Sequence, residues 1–129
     1  LAGSLWKEED RNKLEKIDKL CKEMGLDTFL PHRDVGIFPG GTGSRSFFIR
    51  DRNEIDQCDF MIALLDWRGI GSGTAWEIGN AYAKKIPIIG FVDDLSTIYT
   101  SERVCVMTLN SVKLVDSFEK LKKAIKDLV

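Results

Sequence analysis

The sequence predicts an α/β fold: a single doubly wound domain, a three-layer sandwich with a five-stranded parallel sheet in flavodoxin-like (Rossmann-type) order. Three observations predict it. Apolar runs at Phe60 to Leu65 and Ile86 to Val92 flank a stretch with helical spacing, Thr74 to Gly79. Parallel strands require such a crossover helix between them. Strand-like and helical periodicities alternate through the rest of the chain in the order βαβαβαβαβα. Finally, 129 residues with no internal repeat, low-complexity tract or linker make one domain with a single core.

Each element has its own justification. The chain begins at Leu1 rather than Met, inside its first strand, and that strand is expected to be truncated at its amino end. From Trp6 to Met24, Leu14, Ile17, Leu20, Cys21 and Met24 form a helical stripe with charges on the opposite face. Gly25 ends this helix as a C′ glycine. Asp27 to Leu30 reads as a short strand and Pro31 to Ser46 as a glycine-rich loop, with Pro39 to Ser44 lying over a ligand crevice. Helical spacing returns from Phe47 to Cys58. The strand Phe60 to Leu65 ends at Asp66 and opens into a turn containing Gly69, Gly71 and Gly73. Val104 to Leu109 and Lys113 to Val115 are candidate strand segments. Asp116-x-x-Glu119 then caps a final helix carrying Phe118, Leu121, Ile125 and Leu128.

Composition excludes several classes of function. A net charge of −1 and a pI of 5.9 offer no electrostatic footing for nucleic acid or an anionic membrane. No apolar stretch approaches the roughly 18–20 residues of a membrane span, and no signal peptide is visible. Cys21, Cys58 and Cys105 are odd in number and form no C-x-x-C pair, which points to the cytoplasm, and the first two read as core fillers. His32 is the only histidine, so a histidine-rich metal site is excluded; neither metal nor cofactor is expected. The glycine turn lacks G-x-G-x-x-G spacing, and no P-loop motif occurs.

Two carboxylates stand out. Glu77 falls in the first turn of a helix whose amino end faces the carboxyl ends of the strands, where open α/β sheets bind ligands. It has two readings. Thr74-x-x-Glu77 has capping-box spacing, in which the Glu only satisfies a free backbone N–H. Alternatively the helix dipole favours an ionised carboxylate suited to act as a nucleophile, and a poor general acid at neutral pH unless burial opposes the dipole. Asp51 interrupts the stripe Phe48, Ile55 and Cys58. Buried charges need partners, so it either pairs with Arg45, Arg50 or Arg52, or faces the crevice beside Glu77. Asp66, at a strand end, is either a loop anchor or a ligand contact.

The run DRNEIDQCDFMIALLD followed by GSGTAWEIGNAYAKKIPIIG resembles the nucleoside 2-deoxyribosyltransferase family. LAGSLW resembles that family's first strand and turn, and FLPHRD its second strand and exit loop. The resemblance is strongest from Ile49 to Gly90 and makes residues 1–129 one such domain. It implies that Glu77 is the nucleophile and that Asp51 engages the departing base. The implied reaction cleaves the N-glycosidic bond of a 2′-deoxynucleoside and transfers deoxyribose to another free nucleobase. A homodimer or higher homo-oligomer is implied too, and Trp6, Trp67, Trp76, Phe47 and Phe48 supply large apolar groups for either an interface or the core.

Two departures bear on the reaction. Gly71 stands where the family often has an Asp, six residues before the nucleophile. No Asn lies around Val104 to Thr108, and Asn110 is a loose candidate. The related deoxynucleoside 5′-monophosphate N-glycosidases lack that Asp and place small hydroxyl residues around a phosphate. Ser4, after Gly3, and Ser72, before Gly73, would suit that role with Arg68 nearby; ordinary turn chemistry is the alternative for each serine. The substrate would then be a deoxynucleotide and the reaction hydrolysis. A third reading is a nucleotide-binding module that has kept the fold and lost turnover, since folds of this type host many functions.

Overall fold

A computed structural model describes residues 1–66, 70–96 and 105–129. Side-chain alternation along two short strands, β1 (Met61–Leu64) and β2 (Ile88–Phe91), sets the layers. Ile62, Leu64, Ile89 and Phe91 belong to the core on one face of the sheet. Met61, Ala63, Leu65, Ile88 and Val92 belong to the core on the other. The first core is closed by Leu14, Ile17 and Cys21 of α1 (Glu8–Glu23), and by Leu121, Ala124 and Ile125 of the C-terminal helix Phe118–Leu128. Ile55 of the helix Ser44–Gln57 and Ile78 and Ala81 of the helix Ser72–Ala83 close the second. The chain is therefore wound on both faces, as the sequence predicts.

In chain order the elements after α1 are α2 (Pro31–Asp34), α3 (Ser44–Gln57), β1, α4 (Ser72–Ala83), β2, α5 (Val106–Leu109), β3 (Lys113–Val115) and α6 (Phe118–Leu128). The strands are parallel in the order β1-β2-β3, with Met61 opposite Ile88 and Ile89 opposite Lys113.

Three strands, not the expected five, make up the sheet among the described residues. Ala2 forms an isolated parallel bridge with Ala63, donating to the Ile62 carbonyl at 2.9 Å and accepting from the Leu64 N–H at 2.8 Å. The Leu1 amino group reaches the Phe29 carbonyl at 2.9 Å. Ala2 thus runs beside β1 and Leu1 beside Phe29, but neither segment becomes a strand of the sheet. The backbone of the expected strand Asp27 to Leu30 is committed to side chains: the Thr28 carbonyl accepts from Arg33 at 3.0 Å, and the Leu30 N–H donates to Asp34 at 2.8 Å.

Other boundaries shift for local reasons. The turn after α1 closes as expected, with Gly25 at φ 77°, its N–H on the Lys22 carbonyl and the Leu26 N–H on the Cys21 carbonyl. The expected loop Pro31 to Ser46 contains α2, with Pro31 at its start, and the first turn of α3, which follows Gly43 at φ 90°. Val106 to Leu109 is helical rather than extended. Val106 and Met107 are exposed while Thr108 is buried, and the Asn110 and Ser111 side chains donate to the Val106 and Met107 carbonyls at 2.8 and 2.6 Å. The cap of α6 is Ser117, accepting from the Lys120 N–H at 3.1 Å; Asp116 instead pairs with the Lys120 ammonium.

Candidate active site

Helices α3 and α4 lie side by side on the second face of the sheet. Each leads into one of two neighbouring parallel strands, so their amino ends lie towards the sheet's carboxyl edge. Helix α4 begins earlier than its sequence suggests, with Gly71 as N-cap and Ser72 as first residue. Glu77 is therefore the sixth residue, in the second turn, and Thr74 is a buried third residue. The capping-box reading fails, because a cap must precede the helix, and the dipole that favours anions acts within the first turn.

Burial dominates instead. It pushes the Glu77 carboxyl up to about 7, and the neighbouring charge of Asp51 adds to the rise. Burial also raises Asp51, with Arg50 opposing. Asp51 has not found an arginine partner: its Oδ1 is buried and accepts no hydrogen bond from the described residues. Arg50 donates to the Asp34 carbonyl at 2.7 Å, while Arg52 bonds Asn53 and stands 5.8 Å above the Phe48 ring. Asp51 thus makes no salt bridge to Arg50 or Arg52 and lines a cleft instead.

Asp51 and Glu77 both line a cleft of about 470 Å³, together with Leu1, Thr28, Cys58 and Phe60. This cleft flanks the amino end of β1, and not the carboxyl ends of the strands where the sequence puts the ligand crevice. A second, much smaller recess at the carboxyl end of β1 is lined by Ser4, Asp10, Leu64, Asp66, Ile70, Gly71 and Thr74. The sequence-predicted residues thus fall into two groups, the carboxylate pair in one and Ser4 with Asp66 in the other. Ser72 and Gly73 are exposed at the start of α4, beside Gly71 of the recess. Gly3 has a packing role, since a Cβ there would lie 3.2 Å from both Leu14 Cδ1 and Leu64 Cβ. Leu1 and Ser4 join the groups along one extended segment, a span on the order of 10 Å. Arg68 and Trp67 lie outside the described residues.

One wall of the larger cleft is the turn 25–29, and sequence reading missed what holds it. Asp18, buried in α1, accepts from Lys22 at 2.7 Å, from the Thr28 hydroxyl, and from Arg33 at 3.1 Å. Burial raises its carboxyl, but these three partners prevail and bring it below the usual range. Arg33 also grips Asp34 at 2.8 Å and holds it down to about 2. The signal was present: Leu14, Asp18 and Cys21 lie at i, i+4 and i+7, a charge on an apolar stripe just as at Asp51. His32 is peripheral, with Nε2 3.0 Å from Glu15. The three cysteines are free, and burial raises the Cys21 and Cys58 thiols. Among the described residues no group of His, Cys, Asp or Glu could hold a metal, and no helix is long and apolar enough to cross a membrane.

Two adjacent carboxyls, one titrating near neutrality, can divide the roles of proton holder and anion. Residues 1–123 match the family described as Nucleoside 2-deoxyribosyltransferase. A conserved protein from Enterococcus faecalis V583 superposes with TM-score 0.79 at 25% identity, covering 99% of this chain and 96% of that one. A 2-deoxyribosyltransferase from Bacillus psychrosaccharolyticus follows with TM-score 0.76 at 19% identity, covering 94% and 87%. A Clostridium botulinum CMP N-glycosidase gives TM-score 0.60 at 18% identity, covering 92% and 93%. No curated protein matches the chain.

Proposed function

The chain belongs to the nucleoside 2-deoxyribosyltransferase family, an enzyme family acting on N-glycosidic bonds, and from this premise we propose that it transfers 2-deoxyribose between nucleobases with Glu77 as nucleophile. The observation that carries this reading is the placement of Glu77 and Asp51 on one cleft, with Glu77 titrating near 7. In the proposed step a Glu77 oxygen bonds to C1′ as the C1′–N bond breaks. The bonding pair leaves on the base nitrogen, and Asp51, or a water it holds, supplies the proton. The transition state has oxocarbenium character, which an adjacent carboxylate stabilises. A nitrogen of a second base then attacks C1′, its N–H proton passing to Asp51 or the water it holds, and Glu77 leaves as carboxylate.

Water in place of the second base gives hydrolysis, and one observation favours that reading. Gly71, where the family often has an Asp, lines the small recess with the Ser4 hydroxyl, so that carboxylate is missing there, while Asp10 and Asp66 line the recess too. The chain then acts as a 2′-deoxynucleoside 5′-monophosphate N-glycosidase. Both readings require a small-molecule deoxynucleoside or deoxynucleotide and no cofactor. The exposed Tyr82, Val106 and Met107 support assembly as a homodimer or larger homo-oligomer, and three unpaired thiols support a cytoplasmic setting.

The test is incubation with a panel of deoxynucleosides and their 5′-monophosphates, with and without an acceptor base, scoring free base and exchanged nucleoside. Exchange from nucleosides establishes transfer. Base release from monophosphates alone establishes the hydrolase. Neither product from any member of the panel removes both enzyme readings and leaves a binding module.

A further inference from the structure

We propose that the cleft holding Asp51 and Glu77 selects nucleobases that carry an exocyclic amino group, adenine and cytosine above hypoxanthine and uracil, with Asp51 and Glu54 receiving the amino protons. The inference rests on the reading of Glu77 and Asp51 given above and names the bases that this site takes.

The cleft wall is rich in acceptors. Asp27, Asp51, Glu54, Asp59 and Glu77 line it, and none of its lining residues is a lysine, arginine or histidine. Asp27 and Asp59 are exposed, whereas Asp51, Glu54 and Glu77 are half-buried. Asp51 Oδ1 is itself buried and accepts no hydrogen bond from the described residues. The donors beside these carboxylates are engaged elsewhere. The Thr28 hydroxyl donates to Asp18, and the Cys58 thiol to the Ile55 carbonyl at 3.2 Å. The Leu1 amino group, whose charged form burial disfavours, donates to the Phe29 carbonyl. Gln57, exposed, is the remaining side-chain amide.

An ionised carboxylate accepts hydrogen bonds and donates none. A ligand in this cleft must therefore bring its own donors. In the proposed reaction Glu77 bonds the sugar, which leaves Asp51 and Glu54 for the base. These two stand at i and i+3 on α3, on one face of the helix and on one cleft. Adenine and cytosine each present two N–H bonds on one exocyclic nitrogen, and a bond from such a donor to a carboxylate is charge-assisted. Hypoxanthine and uracil carry a carbonyl oxygen at the same ring position. Against a carboxylate that oxygen finds no proton, and the buried Asp51 oxygen stays unmet. A site built around a substrate N–H rejects the analogue lacking it for this reason. At about 470 Å³ the cleft is within the size range of small-molecule sites, and Phe29 and Phe60 add apolar wall for a ring.

The experiment is calorimetric titration of adenine, hypoxanthine, cytosine and uracil into the wild type, Asp51→Asn and Glu54→Gln, with circular dichroism on each protein. Each amino–oxo pair keeps its ring size and exchanges only the exocyclic group and its ring proton. A hydrogen bond to a charged group corresponds to about 10-fold or more in affinity. The wild type should therefore bind adenine about 10-fold tighter than hypoxanthine, and cytosine tighter than uracil by a similar factor. An amide both donates and accepts, so Asp51→Asn and Glu54→Gln should each reduce these ratios. Equal affinity within both pairs overturns the proposal, as does a wild type that binds neither adenine nor cytosine. Ratios unchanged in the folded variants overturn it too, because the preference would then arise elsewhere. The two claims fail separately. Amino preference without cleavage of any nucleoside or nucleotide sinks the enzyme reading alone, and cleavage with no preference between paired bases sinks this one alone.

Discussion

Asp51 and Glu77 share one cleft across the seam between α3 and α4, and the charge of Asp51 adds to burial in lifting Glu77 to about 7. Glu77 is thus divided between its protonated and ionised forms at neutral pH, in a place where an exposed glutamate would be wholly ionised.

The first prediction follows for rate. If Glu77 attacks as an anion, kcat/KM should rise with pH between about 5 and 8, with an apparent pKa near 7 that belongs to the coupled pair. The profile should be taken with a substrate whose base does not titrate in that range. A rate flat down to pH 5 would place the essential anion elsewhere.

The same group makes a prediction for stability. Its folded pKa lies above its unfolded value of 4.5, so its contribution is fully present below 4.5 and is lost as pH rises through about 7. Glu77→Gln removes this loss. The variant should match the wild type near pH 5 and gain up to about 3 kcal/mol over it at pH 8. Urea unfolding at both pH values reads the difference. An equal difference at the two would show that Glu77 is not desolvated in the folded protein.

Arg33 is the third test. Arg33→Ala strips Asp18 and the Thr28 carbonyl of one donor each and Asp34 of two. It should cost about 1–3 kcal/mol, chiefly by leaving the buried Asp18 carboxylate short of a partner. Loosening the turn 25–29 should also raise KM more than it lowers kcat. Wild-type stability in Arg33→Ala would mean that Lys22 and Thr28 alone hold Asp18.

Much of this was legible in the sequence, for identifiable reasons. β1 and β2 were readable because each is a continuous apolar run, buried on both faces. Asp51 was readable because a carboxylate on an apolar stripe demands an explanation. The number of strands was not, because whether segment 27–30 joins a ladder depends on where Arg33 and Asp34 reach. The four residues Val106 to Leu109 show no period that separates strand from helix. Glu77 lies one turn further into its helix than the spacing suggests, because Ser72 and Gly73 offer no apolar periodicity to mark the helix start.

Gly90 supplies a prediction about the sheet. It sits in β2, where an added Cβ would come within 2.8 Å of Leu65 Cδ1 and Val112 Cγ2. Gly90→Ala should destabilise the fold by about 1–3 kcal/mol through overpacking. A thermal midpoint equal to the wild type's would show that the layer between β2 and its neighbours has room to spare.

The central claim is that Glu77 is the nucleophile, and Glu77→Gln tests it most directly. Gln keeps the size and removes the charge. The measurement is turnover of the best substrate from the nucleoside and nucleotide panel by wild type and Glu77→Gln, with circular dichroism to confirm the fold. The account predicts a folded variant with turnover reduced by several powers of ten. A folded Glu77→Gln that turns over at the wild-type rate would contradict it.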